Sequence, residues 1–188
     1  MKWVTKRLMD VTVSGLALVL LMPVLVFAAL AIVVDSGLPA IFRQTRLGFG
    51  GRAFTMFKFR SMVRNAGSLG PHFTRAGDPR ITRVGRFLRR TSVDELPQLI
   101  NVLLGDMSLV GPRPDVPTQR QQYSDAEWAE RCRVRPGITG LAQVTLRSEG
   151  TEAQRLALDL QYVREASGWL DLRIIVLTFG RLSGKGSN

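Results

Sequence analysis

The 188-residue chain contains one cysteine, Cys132, and one histidine, His72. A single cysteine excludes an intramolecular disulfide, and one histidine beside it speaks against a Cys/His zinc site or a Ser-His-Asp triad. No P-loop, HExxH, CxxC or GxSxG occurs. Gly48-Phe49-Gly50 is a poor dinucleotide fingerprint, because no helical pattern follows it. Lysine is scarce, 4 of the 26 basic residues, the other 22 being arginine. Disorder is excluded by a hydrophobic content of 45% with 7% aromatics. The length suits one domain able to bury a core without covalent staples.

What is present is unevenly placed. Residues 1–42 carry 3 basic and 2 acidic side chains, residues 43–90 carry 12 and 1, and residues 91–188 carry 11 and 12. The net charge of +11 therefore resides in one 48-residue stretch. Arginine presents a planar fork that meets phosphate oxygens two at a time, so the stretch predicts a polyanionic partner: nucleic acid, anionic membrane or a phosphorylated small molecule. A high-GC genome would also enrich arginine, but it would not concentrate it.

Val11 to Val34 is a run of 24 uncharged, mostly apolar residues bounded by Asp10 and Asp35. It is long enough to lie in a bilayer. A cleavable signal peptide is the competing reading, given Ala29-Leu30-Ala31, but the apolar run continues through Ile32-Val33-Val34. Pro23 sits near its centre and predicts a sharp kink, since proline deletes a backbone hydrogen bond and clashes with the preceding turn. Both flanks are basic, with Lys2, Lys6 and Arg7 before and Arg43 and Arg46 after, so neither is favoured outside. A kinked span fits these facts; so does a re-entrant hairpin dipping into one leaflet, which is preferred.

The remainder reads as α+β, mainly helical. Ala40 to Arg46 and Arg52 to Phe59 alternate around Gly48-Phe49-Gly50-Gly51 and predict a β-hairpin. Residues 62–80 read as loop, Ile81 to Arg90 as a short basic helix, and Glu95 to Leu104 as a second helix. A Pro-rich loop from Gly105 to Pro117 follows. Ser124-Asp-Ala-Glu127 is a capping box opening a helix to Arg131. Then come a loop from Arg135 to Gly140, a strand around Leu141 to Leu146, and a helix over 152–165. The last helix, Trp169 to Leu182, packs on the core or lies in a membrane interface.

The strongest local signal is Arg89-Arg90-Thr91-Ser92-Val93-Asp94-Glu95-Leu96-Pro97. Two adjacent carboxylates stand at a helix start with Arg86, Arg89 and Arg90 just upstream. One reading is plain capping by Asp94, with Glu95 favoured by the helix dipole and Pro97 in the first turn; Ser92 with Glu95 is an alternative box. The other is chemistry, since a helix start also suits phosphate. One helix length later, Pro112 and Pro114 form a rigid loop around Arg113.

Several segments in series resemble the bacterial sugar transferases, specifically the small monotopic phosphoglycosyl transferases. They are Lys6-Arg7-x-x-Asp10 before a proline-broken apolar helix, Lys58-Phe-Arg60-Ser-Met62, Ser92-Val-Asp94-Glu95-Leu-Pro-Gln-Leu, Gly105-Asp-Met-Ser-Leu-Val-Gly-Pro-Arg113-Pro and Arg135-Pro-Gly-Ile-Thr-Gly140. The resemblance covers nearly the whole chain and is to the minimal form of that family. It departs at Met22, where a serine often precedes the proline.

The resemblance implies a membrane anchor over residues 1–36 and a cytosolic catalytic domain over residues 37–188 with interfacial amphipathic helices, on the cytoplasmic face of a bacterial inner membrane. It implies transfer of a sugar 1-phosphate from a UDP-sugar to polyprenol phosphate, with release of UMP, through a covalent aspartyl-phosphosugar. Asp94 becomes the nucleophile, with Glu95 beside it. Two carboxylates so close raise one another's proton affinity, which a divalent cation would relieve; Mg²⁺ on Asp94 is expected. Arg89 and Arg113, then Arg135 and Arg147, are the expected phosphate contacts. Expected partners are anionic headgroups, downstream glycosyltransferases and a second copy of the chain, with no nucleic acid. Two rivals stand beside this reading. A tethered nucleic-acid-binding protein would suit the charge but lacks aromatics in a stacking pattern beyond Phe54, Phe57 and Phe59, and a non-catalytic assembly factor would use the acidic pair only as a cap.

Overall fold

A computed structural model describes residues 3–67, 69–70, 77–146 and 150–183. The apolar run forms two helices, α1 (Trp3–Leu20) and α2 (Met22–Ser36), bent by 62° at the intervening residue. Pro23 lies in the first turn of α2, where its missing N–H is no loss, so the break falls where the sequence places it. No single described helix is long and apolar enough to cross a membrane, whereas the bent pair together meets that test of length and composition. Val4, Leu8, Leu16, Val19, Leu20, Phe27, Leu30 and Val34 are all exposed along it.

Lys6, Arg7 and Asp10 belong to α1 and turn into the body. Lys6 Nζ pairs with Asp171 Oδ2 at 2.7 Å, and Asp10 Oδ1 accepts the Leu109 N–H at 3.1 Å. Arg7 donates to the Val102 and Leu103 carbonyls, two of the C-terminal groups a helix cannot satisfy internally.

Next comes the expected hairpin, β1 (Ile41–Leu47) and β2 (Ala53–Phe59), paired antiparallel with Phe42 opposite Lys58 and Arg46 opposite Phe54. Gly50 and Gly51 turn it at φ of 64° and 71°, a region closed to most side chains. One face of the hairpin therefore carries Phe42, Gln44, Arg46 and Lys58. The basic helix α3 (Arg83–Arg90) starts at Thr82, whose Oγ1 accepts the Gly85 N–H at 2.9 Å. Gly85 has to be glycine: a Cβ there would stand 2.0 Å from the Ser61 carbonyl oxygen.

After α3 the chain makes a 3-10 turn over Val93–Glu95 and enters α4 (Gln98–Leu104) through Pro97. Asp94 is consequently not the N-cap of α4, and no side chain caps either element. Ser92 leads into the turn at φ 56°, the one positive-φ non-glycine residue among those described. Asn101 of α4, fully buried, holds β2 along its edge. Its Oδ1 accepts the Phe57 N–H at 2.9 Å, while its Nδ2 donates to the Thr55 carbonyl at 2.7 Å.

The two segments expected as Pro/Gly loops each contain a strand. β3 (Ser108–Val110) and β4 (Gly137–Thr139) pair in parallel, with Ser108 opposite Gly137 and Val110 opposite Thr139. Between them runs α5 (Asp125–Arg131), opened by Ser124 and Glu127 in the expected reciprocal cap. Leu141–Leu146, expected as a strand, is instead a helix, α6, which buries Ala142 and Val144. A six-residue apolar alternation also fits one helical face, and packing decides between the two periods. Helices α7 (Glu152–Glu165) and α8 (Gly168–Ser183) complete the chain.

Among the described residues the interior holds three apolar clusters. Ala28, Ile32, Phe59 and Leu88 tie α2 to the hairpin and α3; Met56, Val102 and Met107 tie β2 to α4. Val110, Val134, Val144, Tyr162 and Ile174 join β3 to α6, α7 and α8. The Tyr162 hydroxyl sits 3.0 Å from the Val110 carbonyl and 2.7 Å from Asp171 Oδ1, adjoining the Lys6 pair.

Candidate active site

The hairpin face, the segment 60–67, the end of α3 and the turn carrying the acidic pair surround a pocket of about 480 Å³. Arg46, Lys58, Arg60, Arg64, Arg80, Arg89 and Arg113 line it, against two acids, Asp94 and Glu95. Such an excess suits a ligand bearing several negative charges.

The two acids are adjacent in sequence but differ in environment. Glu95 Oε1 is held by Lys58 Nζ at 2.6 Å and by Arg113 Nη2 at 3.0 Å. Burial pushes the Glu95 carboxyl up, but the Arg113 and Lys58 charges outweigh it and hold it at about 2. Asp94 is only 8% exposed and accepts no hydrogen bond among the described residues. Burial, then the Glu95 charge, raises its carboxyl above the ordinary range, against the opposing pull of Lys58, Arg89 and Arg113. One acid is thus a fixed counter-ion, while the other keeps its lone pairs uncommitted beside the pocket. A cap would spend those lone pairs on backbone N–H groups, so the assembly-factor reading loses its basis.

Arg113 stands between Pro112 and Pro114 on a loop pinned from several sides. The Gly137 N–H donates to the Pro112 carbonyl at 2.9 Å, and Arg46 Nη1 donates to the Pro114 carbonyl at 2.9 Å. Arg131, 6% exposed, donates to the Arg113 carbonyl at 2.7 Å and pairs with Asp115 and Asp159. The parallel strands allow this: a Cβ on Gly111 would stand 2.3 Å from the Arg135 carbonyl oxygen.

The structure brings Asp94, Glu95, Arg89 and Arg113 together at this pocket, with Arg89 Nε donating to Ser61 Oγ at 2.7 Å. Arg135 lies elsewhere. Its Nε donates to the Gly105 carbonyl at 2.8 Å, its guanidinium covers the Phe49 ring, and it lines a separate cavity. Arg147 lies outside the described residues. Pro23 is remote, at the helix break.

Sequence reasoning did not place Lys58, Arg46 or Ser61 at the site. The alternation of the hairpin carried the signal for two of them, since Arg46 and Lys58 share the face of Gln44. Phe59 is 4% exposed and belongs to the core, so its ring is not available to stack on a base.

Among the described residues no three His, Cys, Asp or Glu side chains group as metal ligands. A divalent ion of the Mg²⁺ type needs one or two carboxylates and takes its other ligands from water and phosphate. Asp94, with unbonded oxygens at the pocket, fits that demand; Glu95, committed to two cations, does not.

The profile of the family described as "Bacterial sugar transferase" matches residues 1–185. A Komagataeibacter xylinus protein, "Undecaprenyl-phosphate glucose phosphotransferase", is 49% identical over 187 residues, covering 94% of this chain and 35% of that protein. A Caulobacter vibrioides "UDP-glucose:undecaprenyl-phosphate glucose-1-phosphate transferase" is 49% identical over 182 residues, 92% of this chain and 67% of its own. "Exopolysaccharide production protein PSS" of Rhizobium leguminosarum bv. phaseoli is 46% identical over 187 residues, 93% of both chains. The chain thus spans about a third of the length of the first of these relatives and nearly all of the third.

Proposed function

The chain belongs to the bacterial sugar transferase family, and from that premise we propose that it transfers a sugar 1-phosphate from a UDP-sugar to undecaprenyl phosphate, releasing UMP. The two relatives that are 49% identical carry glucose in their names, which makes UDP-glucose the first donor to try. The observation that carries the reading is Asp94: a nearly buried carboxylate that accepts no hydrogen bond among the described residues, at a pocket that seven of their basic side chains line.

A carboxylate oxygen of Asp94 attacks the phosphorus that bears the sugar. A new O–P bond forms as the bond to the bridging oxygen of the diphosphate breaks, and UMP departs with that oxygen and its electron pair. Burial leaves Asp94 more basic than an ordinary aspartate, which favours attack. Arg89 and Arg113 meet the phosphate charge, Arg113 being aimed by Glu95 and by the proline-flanked loop. In the second half, an oxygen of the lipid phosphate attacks the same phosphorus and the Asp94 carboxylate is released. Mg²⁺ held through Asp94 and substrate oxygens would neutralise diphosphate charge.

The bent pair α1–α2 acts as a re-entrant anchor, dipping into one leaflet of the bacterial membrane from the cytoplasmic side. The apolar side chains along both arms support this, as does the inward turn of Lys6, Arg7 and Asp10, which binds the start of α1 to the same body that holds the pocket. Exposed Phe87 on α3, Leu104 on α4 and Trp169, Val176 and Phe179 on α8 supply further apolar surface for lying at the interface.

The test is donor labelling without lipid. Sugar-labelled UDP-glucose should leave label on the wild-type chain and release UMP once; Asp94→Asn should do neither while keeping its circular dichroism. Undiminished UMP release by that variant removes the nucleophile assignment.

A further inference from the structure

Arg60, at the end of β2, is 7% exposed. Its Nη2 donates to the Ser36 carbonyl at 3.0 Å, to Ser36 Oγ at 2.8 Å and to the Gly37 carbonyl, where α2 ends. That accounts for one nitrogen of three. Nε and Nη1 are buried without a hydrogen-bond partner among the described residues. Buried donors are paired with few exceptions, and charged ones are the costliest to leave unpaired.

The nearest charge aggravates this. Arg64 packs on Gly37, its Nη2 3.0 Å from where a Cβ would stand, and no carboxylate pairs with Arg60 or Arg64 among the described residues. Burial, then the charge of Arg64, lowers the affinity of Arg60 for its proton. Two like charges are therefore held close together, with two donors of Arg60 unfilled among the described residues, an arrangement completed by an anion with several acceptor oxygens.

Position identifies the anion. Arg60, Arg64 and Phe42 line both the catalytic pocket and a second cavity of about 640 Å³, whose other walls are Leu38, Pro39, Ile41 and Arg43. That cavity is apolar on one side, with Leu38 63% and Phe42 46% exposed, and it begins where the chain leaves the apolar helix pair. One end of the guanidinium pair thus meets hydrocarbon-compatible surface, and the other meets Asp94's pocket.

We propose that Arg60 and Arg64 seat the phosphate of an isoprenyl phosphate, whose chain runs over Leu38, Pro39, Ile41 and Phe42, so that the acceptor enters from the membrane side of the pocket. This rests on the transferase reading and adds to it which residues hold the second substrate. In the step it serves, the seated phosphate oxygen forms a P–O bond to the sugar-bearing phosphorus as the O–P bond to Asp94 breaks. The carboxylate leaves with the electron pair, and no oxidant or reductant is required.

The experiment uses the full chain in phosphatidylcholine nanodiscs, with UDP-glucose and undecaprenyl phosphate varied separately. Arg64→Gln is the principal variant, because Arg64 is exposed and its loss spares the core; Arg60→Gln is the second, with its melting temperature as control. Both should raise KM for undecaprenyl phosphate about 10-fold or more, the usual effect of losing a charge-assisted contact, with KM for UDP-glucose within about 2-fold of wild type. Donor labelling without lipid should keep its wild-type rate in both. A parallel rise in the donor KM, or slowed labelling, assigns the pair to the donor diphosphate and overturns the proposal. An unchanged acceptor KM in both variants overturns it outright. If phosphatidylglycerol discs abolish the defect, or free inorganic phosphate protects the pair from arginine-directed modification as well as farnesyl phosphate does, the site is a headgroup or phosphate site and the proposal fails. A wild-type chain that releases no UMP from any UDP-sugar fails differently: the transferase reading falls, and this proposal with it.

Discussion

Lys6 Nζ, in the first helix, lies 2.7 Å from Asp171 Oδ2, in the last, 165 positions further along the chain. Asp171 is fully buried and also meets the Tyr162 hydroxyl, so the pair closes the chain on itself inside the protein rather than at its surface. The bent apolar helix pair and the body that carries the pocket are thereby fastened together.

Lys6→Met leaves Asp171 buried without its cation. Such half-pairs cost about 3–5 kcal/mol. The variant should melt well below wild type in detergent micelles, and Lys6→Met with Asp171→Leu should recover most of the loss, because no charge is then stranded. A double variant as unstable as the single one would assign the cost to packing instead.

Asn101→Ala should destabilise by about 2–4 kcal/mol, since it leaves the Phe57 N–H and Thr55 carbonyl without their side-chain partner. Hydrogen exchange at Phe57 should accelerate in step with the loss of stability. Slow exchange there would mean that β2 is held by β1 alone.

Glu95→Gln tests the fixed counter-ion. The Glu95 carboxyl is held at about 2 against an ordinary 4.5, so its contribution is present above about 4.5 and is lost as pH falls toward 2. Solvent screening reduces it to about 1 kcal/mol at pH 7. The stability gap between wild type and variant should therefore close across that acid window. A gap constant from pH 7 to pH 2 contradicts the ion pairs with Lys58 and Arg113.

Asp94→Asn should abolish turnover yet stabilise the chain at pH 7. A raised carboxyl favours folding when protonated and costs stability as pH rises through its folded value, so removing the charge relieves that cost. A melting temperature above wild type at pH 7, with the difference vanishing in acid, is the expected result. A drop would return Asp94 to a structural role.

The anchor geometry is open to cysteine labelling. Val4→Cys, in a background with Cys132→Ser, should resist a membrane-impermeant thiol reagent in intact cells and react after lysis, because a hairpin keeps both ends on the cytoplasmic side. Pro23→Ala, which restores the backbone donor at the break, should shift some chains to a labelled, spanning form. Labelling of the unaltered hairpin in intact cells overturns the re-entrant geometry.

Much of this architecture was legible locally. Pro23, the glycines of the hairpin turn, and the Ser124–Glu127 box each act within a few residues, and each element stands where they put it. The strands β3 and β4 were not legible, because three residues amid proline and glycine form a strand only by pairing with a segment nearly 30 residues away. Residues 141–146 satisfied both periods, and burial of Ala142 and Val144 chose the helix. At the site, sequence drew attention to the acidic pair and Arg113 and left a helix cap as one of two readings of Asp94. The 3-10 turn after Ser92 moves the helix start to Pro97 and leaves Asp94 unbonded. Arg135 showed the opposite failure: a basic residue in a suggestive segment is spent on a backbone carbonyl and an aromatic ring.

Both of the chain's tyrosines are pushed above the ordinary phenol range, Tyr162 by burial and then Asp171, Tyr123 by burial against the partial relief of Arg131. Phenolate absorbance near 295 nm should accordingly stay silent in mild alkali while the chain is folded and rise when it opens. The protein carries its own optical indicator, one dye beside the Lys6–Asp171 pair, the other against the Arg131 guanidinium.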